Sequence, residues 1–346
     1  MTLSIRAALA WLGPGRLIED AQVVCDGGVI TYAGPATPIS DAEEELRVAG
    51  FLMPAVADRH VHIELSDPVA VVRRGVTAVR DLAWPPERIF PIADLSEMPS
   101  YDGPLVRAAG PMLTGHGGYP TKSGWAPEGT GRELAGPDDA VAAVVDLSGR
   151  GATAIKVSLN AEAGPTPTDV ELMAICDEAH RRDLPVTAHA QGSGQVERAL
   201  GAGVDELAHT PWVRLSDDVL QTCAARLRIV STLDTLSFGR DTPEIRIAID
   251  NLRRFRAAGG TVIYGTDLGN GAVPPGIDTR EVLLLRDAGL EPEEILQAMV
   301  RAPLDLDAPA DLIALARSPL DDPTAFEELT LVVRAGRVVA AENRQH

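Results

Sequence analysis

The feature that most constrains the fold is an alternation of short β-branched segments with helical segments across the middle of the chain. Helix-start signals, among them Thr168-Asp169, Ser216-Asp217 and Thr242-Pro243, stand between several of these segments. Such alternation predicts a parallel sheet with helices packed against it. The predicted strands are HVHIEL (60–65), VTAVRDL (76–82), PLVRAAGPML (104–113), TAIKVSL (153–159), PVTAHA (185–190), VDELAH (204–209), RIVSTL (228–233) and TVIYGTD (261–267).

Eight strand–helix units over roughly 250 residues favour a (β/α)8 TIM-like barrel, which we place at residues 56–307. Residues 1–55 and 308–346 differ, because short apolar runs there are separated by Gly and Asp-Gly, as is typical of antiparallel strands. We therefore expect an α/β chain in which a small β-sandwich, built from both chain ends, accompanies the barrel.

The charge balance restricts the partners. The chain of 346 residues has 50 acidic and 31 basic side chains, a net charge of −19, whereas nucleic acids and anionic membranes are bound by an excess of Lys and Arg. No apolar run approaches the length of a membrane span. The three cysteines, Cys25, Cys176 and Cys223, are isolated, which fits a reducing compartment. We expect a cytoplasmic protein with a small-molecule partner, and leave open whether it forms a homo-oligomer.

Polar side chains gather at the predicted strand ends. His60 and His62 are two residues apart, so in a strand both project to the same side and form a preformed pair of metal ligands. Four later strands add one polar group each near their carboxyl ends: Lys156, His189, His209 and Asp267. Each alone fits a structural role, but six such groups at one end of a barrel predict a metal centre, because active sites form there.

One connection is too long to serve only as a link. Residues 114–136 read TGHGGYPTKSGWAPEGTGRELAG, and Gly- and Pro-rich loops of this length are usually functional or disordered. In a barrel this loop follows the third strand and lies over the catalytic face. The sequence therefore predicts that the loop takes part in substrate recognition.

These motifs together resemble a known family. VADRHVH is similar to the first-strand metal motif of the amidohydrolase superfamily, and the likeness continues through GVTAVRD, GATAIKV, VTAHAQGSGQVERALGAGVDELAH and GTD. The resemblance spans roughly residues 20–315 and is strongest to the imidazolonepropionase-like branch, which includes binuclear metal-dependent amide hydrolases and dipeptidases. The chain departs from the family at Pro54-Ala55, where Pro-Gly is usual, and in a shortened segment before ADLIAL.

The resemblance implies a role for each polar group. It implies two divalent metal ions, Zn²⁺ above all, one held by His60, His62 and Asp267 and the other by His189 and His209. Lys156, carboxylated on its side-chain nitrogen by CO2, would bridge the two ions together with a hydroxide. Asp267 would also act catalytically by transferring a proton from this hydroxide to the leaving group. Asp58 is a candidate for supporting the ligands.

Substrate contacts are expected in the loop and beside the barrel mouth. LTGHGGYP is close to the Gly-His-Gly loop of relatives, which makes His116 a candidate catalytic and substrate-binding residue. Further candidates for holding a substrate carboxylate or ring, with surface or structural use as the alternative, are Arg80, Tyr119, Lys122 and Trp125.

We expect a hydrolase that cleaves an amide C–N bond of a small N-acyl amino acid, dipeptide or cyclic amide. Three alternatives stay open. The same metal pair would serve a lactone or phosphoester hydrolase. Deaminases of the superfamily typically use one metal and need no lysine on the fourth strand, so Lys156 counts against an aminohydrolase. A metal-free scaffold would have lost ligands, and none is missing here.

Overall fold

The computed structural model describes residues 2–37, 42–98 and 100–341. Its strands are β1 Thr2–Trp11, β2 Leu17–Asp26, β3 Val29–Pro35, β4 Glu44–Pro54, β5 Val56–Val61, β6 Val76–Asp81, β7 Leu105–Ala108, β8 Met112–Thr114, β9 Gly131–Glu133, β10 Ile155–Asn160, β11 Val186–Gln191, β12 Glu206–Leu207, β13 Arg228–Val230, β14 Thr261–Ile263, β15 Leu312–Leu315, β16 Leu329–Arg334 and β17 Arg337–Ala341. Its α-helices are α1 Pro68–Arg73, α2 Pro86–Ser96, α3 Pro137–Gly149, α4 Asp169–His180, α5 Gln195–Ala202, α6 Asp217–Arg226, α7 Pro243–Ala257, α8 Thr279–Asp287 and α9 Pro292–Met299.

The two chain ends form one seven-stranded sheet in the order β17-β16-β15-β4-β1-β2-β3. Strand β15 pairs antiparallel with Phe51–Pro54 of β4, so the shortened segment before ADLIAL still brings the two ends together. A separate apolar core, with Leu3, Ile5 and Leu312 among its members, lies against this sheet. The prediction that the two chain ends join in one β-structure is confirmed, whereas its arrangement as a two-layer sandwich stays a prediction. Residues 1, 38–41 and 342–346 of the predicted end domain lie outside the described residues.

The middle of the chain contains two sheets of mainly parallel strands, ordered β5-β6-β7 and β14-β13-β12-β11-β10-β8-β9. Hydrogen bonds connect them at both sides. Thr153 N donates to Ala108 O at 2.9 Å, and His62 N donates to Leu268 O at 2.7 Å. The predicted parallel α/β architecture is thus confirmed, and its closure into a (β/α)8 barrel stays a prediction.

The three helix-start signals predicted from the sequence all cap a helix in the structure. The Thr168 and Ser216 side chains accept hydrogen bonds from the third residue of α4 and α6, as the Thr242 side chain does for α7. At α4 the bond is reciprocal, since Glu171 accepts from the Thr168 backbone. In the described part of the chain, no helix is long and apolar enough to cross a membrane.

Several predicted strands differ from the structure. The sixth, seventh and eighth are shorter than predicted and end at Leu207, Val230 and Ile263, so His209 and Asp267 follow their strands. The first strand covers 56–61 rather than 60–65, because residues 63–65 form a 3₁₀ turn after His62. The third divides into β7 and β8, since Gly110, with φ of +77°, and Pro111 interrupt the ladder. The first shift moves both histidines to the carboxyl end of β5, where strand residues give way to a turn.

Candidate metal centre

The His60 and His62 side chains both direct their ring nitrogen Nε2 toward Asp267. His60 Nδ1 lies 2.9 Å from the Ala208 carbonyl oxygen, and His62 Nδ1 lies 3.1 Å from that of Ala83. A neutral imidazole that donates from Nδ1 keeps the lone pair on Nε2. Both rings are buried. The backbone therefore fixes both rings in the tautomer that a metal ligand needs.

Asp267 faces both rings. Its Oδ1 atom lies 3.2 Å from His60 Nε2 and 3.3 Å from His62 Nε2. The residue has a φ of +58°, an uncommon value for a side chain other than glycine and one that often marks functional sites. Nearby Gly265 cannot carry a side chain, since a Cβ atom there would lie 2.4 Å from Val230 Cγ1 and 3.2 Å from His60 Cβ.

His189 and His209 form a second pair. His189 Nδ1 lies 2.9 Å from His209 Nε2. The outer nitrogens have their own partners, because His189 Nε2 lies 3.1 Å from Asn160 Nδ2 and His209 Nδ1 lies 2.9 Å from Thr232 Oγ1. The His209 ring is 4.7 Å from the His60 ring, so the two pairs belong to one cluster.

Lys156 is the least compensated member of the cluster. It is fully buried in β10, and its Nζ atom has no hydrogen-bond partner. Burial lowers its pKa to about 7, with the charge of Asp267 opposing this shift. A buried amine without a partner is costly, so its presence requires an explanation beyond packing.

Electrostatics keep most of the imidazoles neutral. Burial lowers the pKa of His189 to about 3 and moves those of His60 and His209 well below the ordinary value, with Lys156 adding to each shift. For His62 burial acts in the same direction, but the Asp267 carboxylate, 3.3 Å from Nε2, outweighs it and raises the pKa. Neutral rings beside a carboxylate are the donor set that divalent transition metals prefer.

The residues present fit a metal ion. Ligand atoms of His60, His209 and Asp267 all lie within 4.8 Å of one another. Asp267 Oδ1 is buried without a hydrogen-bond donor, and Lys156 Nζ is likewise unpartnered. Buried polar atoms are normally paired, so an unpartnered carboxylate oxygen that faces two imidazole nitrogens indicates a site shaped for a cation. The individual ligand roles predicted from the sequence stay predictions.

A layer of carboxylates and amides holds these side chains in place. Asp58 accepts hydrogen bonds from the backbone of His60 and Thr266, both at 3.0 Å, which ties β5 to the segment that bears Asp267. Asp81 accepts from Ile63 N at 2.8 Å and orients the turn after His62. Asp81 and Asn160 were not recognised from the sequence. For Asn160 a signal existed, since it follows Lys156 and Ser158 at alternate positions of one strand.

The long loop covers the cluster with two aromatic rings. The Trp125 ring lies 4.7 Å from that of His62, and the Tyr119 ring lies 5.3 Å from that of His189. Trp125 Nε1 donates to the Tyr119 hydroxyl at 3.1 Å, which joins the two side chains. Of the predicted substrate contacts, these two therefore lie beside the cluster.

The other predicted contacts lie elsewhere. The His116 side chain is 93% exposed, with Nδ1 2.5 Å from Glu133 Oε2. Lys122 is also exposed. Arg80 is the penultimate residue of β6, but its guanidinium pairs with Glu206, the first residue of β12, and donates to the Arg59 carbonyl at 3.0 Å. These three side chains stay predicted substrate contacts, although the structure does not place them against the imidazoles.

Comparison with known proteins finds solved structures that share this fold. No protein-family model matches the chain. A crystal structure of a Xaa-Pro dipeptidase with bound methionine superposes with a TM-score of 0.84 at 20% identity, covering 98% of this chain and 99% of that one. Ochratoxinase from A. niger superposes with a TM-score of 0.83 at 20% identity, covering 98% and 96% of the two chains.

One local sequence match accompanies these structures. The chain is 44% identical to the imidazolonepropionase of Caulobacter vibrioides over 66 residues, which are 17% of this chain and 16% of that protein. The match thus spans about one sixth of the curated relative. The chain has the amidohydrolase-superfamily fold, and the resemblance to the imidazolonepropionase-like branch that its motifs indicate is confirmed.

Proposed function

We propose that the protein is a metal-dependent hydrolase that cleaves an amide C–N bond of a small N-acyl amino acid, dipeptide or cyclic amide. The observation that carries this proposal is the cluster of four imidazoles, Asp267 and an unpartnered buried Lys156. The fold shared with a Xaa-Pro dipeptidase and with ochratoxinase supports amide hydrolysis as its general chemistry.

In this proposal His60, His62 and Asp267 would hold one divalent ion, and His189 and His209 would hold a second. Lys156 would serve as a shared ligand once its neutral amine has added CO2 and released a proton, which would turn a costly buried amine into an anionic ligand. When bound, two ions such as Zn²⁺ activate water and polarise the scissile carbonyl group.

The chain supplies proton transfer and substrate positioning. Asp267 has a carboxylate oxygen without a hydrogen-bond donor, so it is free to accept a proton and return it to the leaving nitrogen. Tyr119 and Trp125 form an aromatic wall beside the imidazoles, which limits water access and offers apolar surface to a substrate side chain. Burial raises the pKa of Tyr119 to about 12, so its hydroxyl keeps its proton and remains a hydrogen-bond donor.

The same proposal includes the architecture. We infer that the parallel strands close into a (β/α)8 barrel, since Arg59 N donates to Tyr264 O at 3.1 Å and His62 N bonds to Leu268 O across the remaining seam. Closure would bring all six predicted ligands to the carboxyl end of one barrel. A cytoplasmic location is part of the proposal and is supported by the three isolated cysteines.

Two measurements test the function. Metal analysis of the purified protein should give close to two divalent ions per chain. A panel of dipeptides, N-acyl amino acids, hydantoins, lactones, phosphoesters and aminated purines or pyrimidines should show activity on an amide, absent from an Asp267→Asn preparation purified in parallel. Turnover of lactones or phosphoesters alone would reject amide hydrolysis, and one ion per chain with ammonia release from an aminated ring would indicate a deaminase.

A further inference from the structure

A second charged site lies beside strands β5, β6 and β7. A cavity of about 180 Å³ is lined by residues that precede His60 and Lys156 along their strands, among them Asp58 and Thr153. Four arginines also line it, one from each of β5, β6 and β7 and one following α9: Arg59, Arg80, Arg107 and Arg301. In a chain with a net charge of −19, four guanidiniums around one cavity are a marked exception.

The arrangement of these arginines is unfavourable without an anion. Arg80 and Arg107 are register partners on neighbouring parallel strands, so their side chains leave the sheet on the same side. Like charges in such positions destabilise a sheet. Arg80 pairs with Glu206 and Arg107 with Glu97, which compensates two of the four charges.

The other two arginines lack such a partner. Arg59 donates from Nη2 to the Val300 carbonyl at 3.4 Å, and its Nε atom is buried without a hydrogen-bond acceptor. Arg301 is exposed and forms no ion pair within the described residues, although the charge of Asp311 acts on it from the adjoining side. Asp58, the one carboxylate lining the cavity, is occupied by His60 and Thr266.

We propose that this cavity binds a small dianionic oxyanion, of phosphate or dicarboxylate chemistry, independently of the hydrolytic centre. The planar guanidinium offers paired N–H groups that match the oxygens of either anion. The volume suffices for such an ion with a few waters, since a water takes roughly 30 Å³. The bound anion would connect β5, β6 and β7 and compensate Arg59 and Arg301.

Calorimetric titration tests the site. The metal-loaded protein is titrated with inorganic phosphate, and separately with succinate, at a constant ionic strength set with sodium chloride. Arg301→Gln and Arg107→Gln remove one guanidinium each from the exposed rim. Arg246→Gln is the matched control, because Arg246 is 70% exposed on α7 and is absent from the cavity lining.

We expect one saturable anion site per chain in the wild type and the control. Either rim substitution should weaken binding about tenfold or more, as loss of a charged hydrogen bond implies, with hydrolytic activity unchanged. Arg301→Lys, which keeps the charge and carries little folding risk, should fall between wild type and Arg301→Gln. The tighter of the two anions identifies the ligand chemistry. Absence of saturable binding, or binding that both Gln variants retain, would overturn the proposal, since phosphate would then occupy the metal centre or no site.

Discussion

His189 Nδ1 lies 2.9 Å from His209 Nε2, with the Asn160 amide nitrogen facing the other side of the His189 ring. Asn160 Oδ1 accepts from the backbone of Glu162 and Ala163, so its amide nitrogen is the atom directed at His189. In the metal-free protein the His189 proton therefore lies on Nδ1, between the two rings. A cation that binds both nitrogens requires the His189 proton to move to Nε2, which in turn requires the Asn160 amide to turn away.

Metal uptake should release a proton from His62, whose pKa Asp267 raises, and another when the neutral Lys156 amine adds CO2. We expect the calorimetric enthalpy of Zn²⁺ binding to the metal-free protein to vary with the ionisation enthalpy of the buffer, and affinity to rise with pH, as is general for imidazole sites. An enthalpy independent of the buffer would show that no proton leaves the cluster.

Lys156→Ala should lose metal and activity together, because the group that contacts both ions is removed. The truncated side chain leaves space in a fully buried position, and small carboxylic acids such as acetate should partly restore activity by occupying it. Metal content and rate would be measured with and without the acid.

Lys156→Met is the matched control, because methionine fills the same space and leaves no room for the acid. It should show no rescue. Its metal-free form should be more stable than the metal-free wild type by about 1–3 kcal/mol, since a buried unpartnered amine is gone. Wild-type metal content in either variant would reject the bridging role.

Asp267→Asn should lower kcat while most of the metal is retained. The amide oxygen still faces His60 and His62 but cannot accept a proton, and general acid–base catalysis contributes roughly 10²–10⁴-fold. Steady-state kinetics and metal analysis would be compared with Asp241→Asn, whose carboxylate pairs with Arg246 at the surface. Near wild-type kcat in Asp267→Asn would direct the search for the proton carrier to His116.

Trp125→Ala should change substrate choice without changing metal content. The ring packs beside His62 and bonds to Tyr119, so its loss opens the aromatic wall; we expect kcat/KM to fall about tenfold or more for substrates with a large apolar side chain.

His116→Ala gives the comparison within the same loop. If His116 moves over the cluster during turnover, its loss should also reduce kcat/KM; an unchanged rate would leave it as a surface partner of Glu133.

Glu281 provides a stability prediction far from the chemistry. Burial raises its pKa to about 8, with hydrogen bonds from Ser231 and Asp234 opposing the shift. Between the unfolded pKa near 4.5 and the folded value, the native state holds a proton that the unfolded chain has lost. Stability contributed by this group is therefore complete below pH 4.5 and declines as the pH rises toward 8.

Glu281→Gln keeps the shape and remains neutral, so it should flatten this decline and stabilise the protein above pH 8 by up to roughly 5 kcal/mol, given about 1.4 kcal/mol per pKa unit. Chemical denaturation at pH 5 and pH 8 would measure the difference. A variant with the wild-type pH dependence would show that Glu281 is ionised in the native state.

The sequence predicted the metal cluster better than its surroundings, for physical reasons. His60, His189, His209 and Asp267 lie in the second half of a strand or just after it, and parallel strands bring their carboxyl ends together whatever the helices do. Lys156 is the second residue of β10, so this rule does not account for its position. Asp81 was missed because its acceptor role depends on the turn at 63–65. The alternating apolar pattern HVHIEL predicted a strand there instead of a turn. Arg80 was assigned to the substrate because the periodicity of β6 gives its side of the sheet but not its depth along the strand.

The joining of both chain ends has a consequence for biosynthesis. Strand β4 leads directly into β5 and the first histidines, yet the edge of β4 at Phe51–Pro54 receives its partner, β15, only after the entire parallel α/β segment between them has left the ribosome. Until then the nascent chain carries an apolar edge with open backbone hydrogen-bonding groups, the kind of edge that recruits other chains. Premature termination before Leu312 would leave that edge exposed permanently, so truncated products should aggregate rather than accumulate as a shorter folded protein.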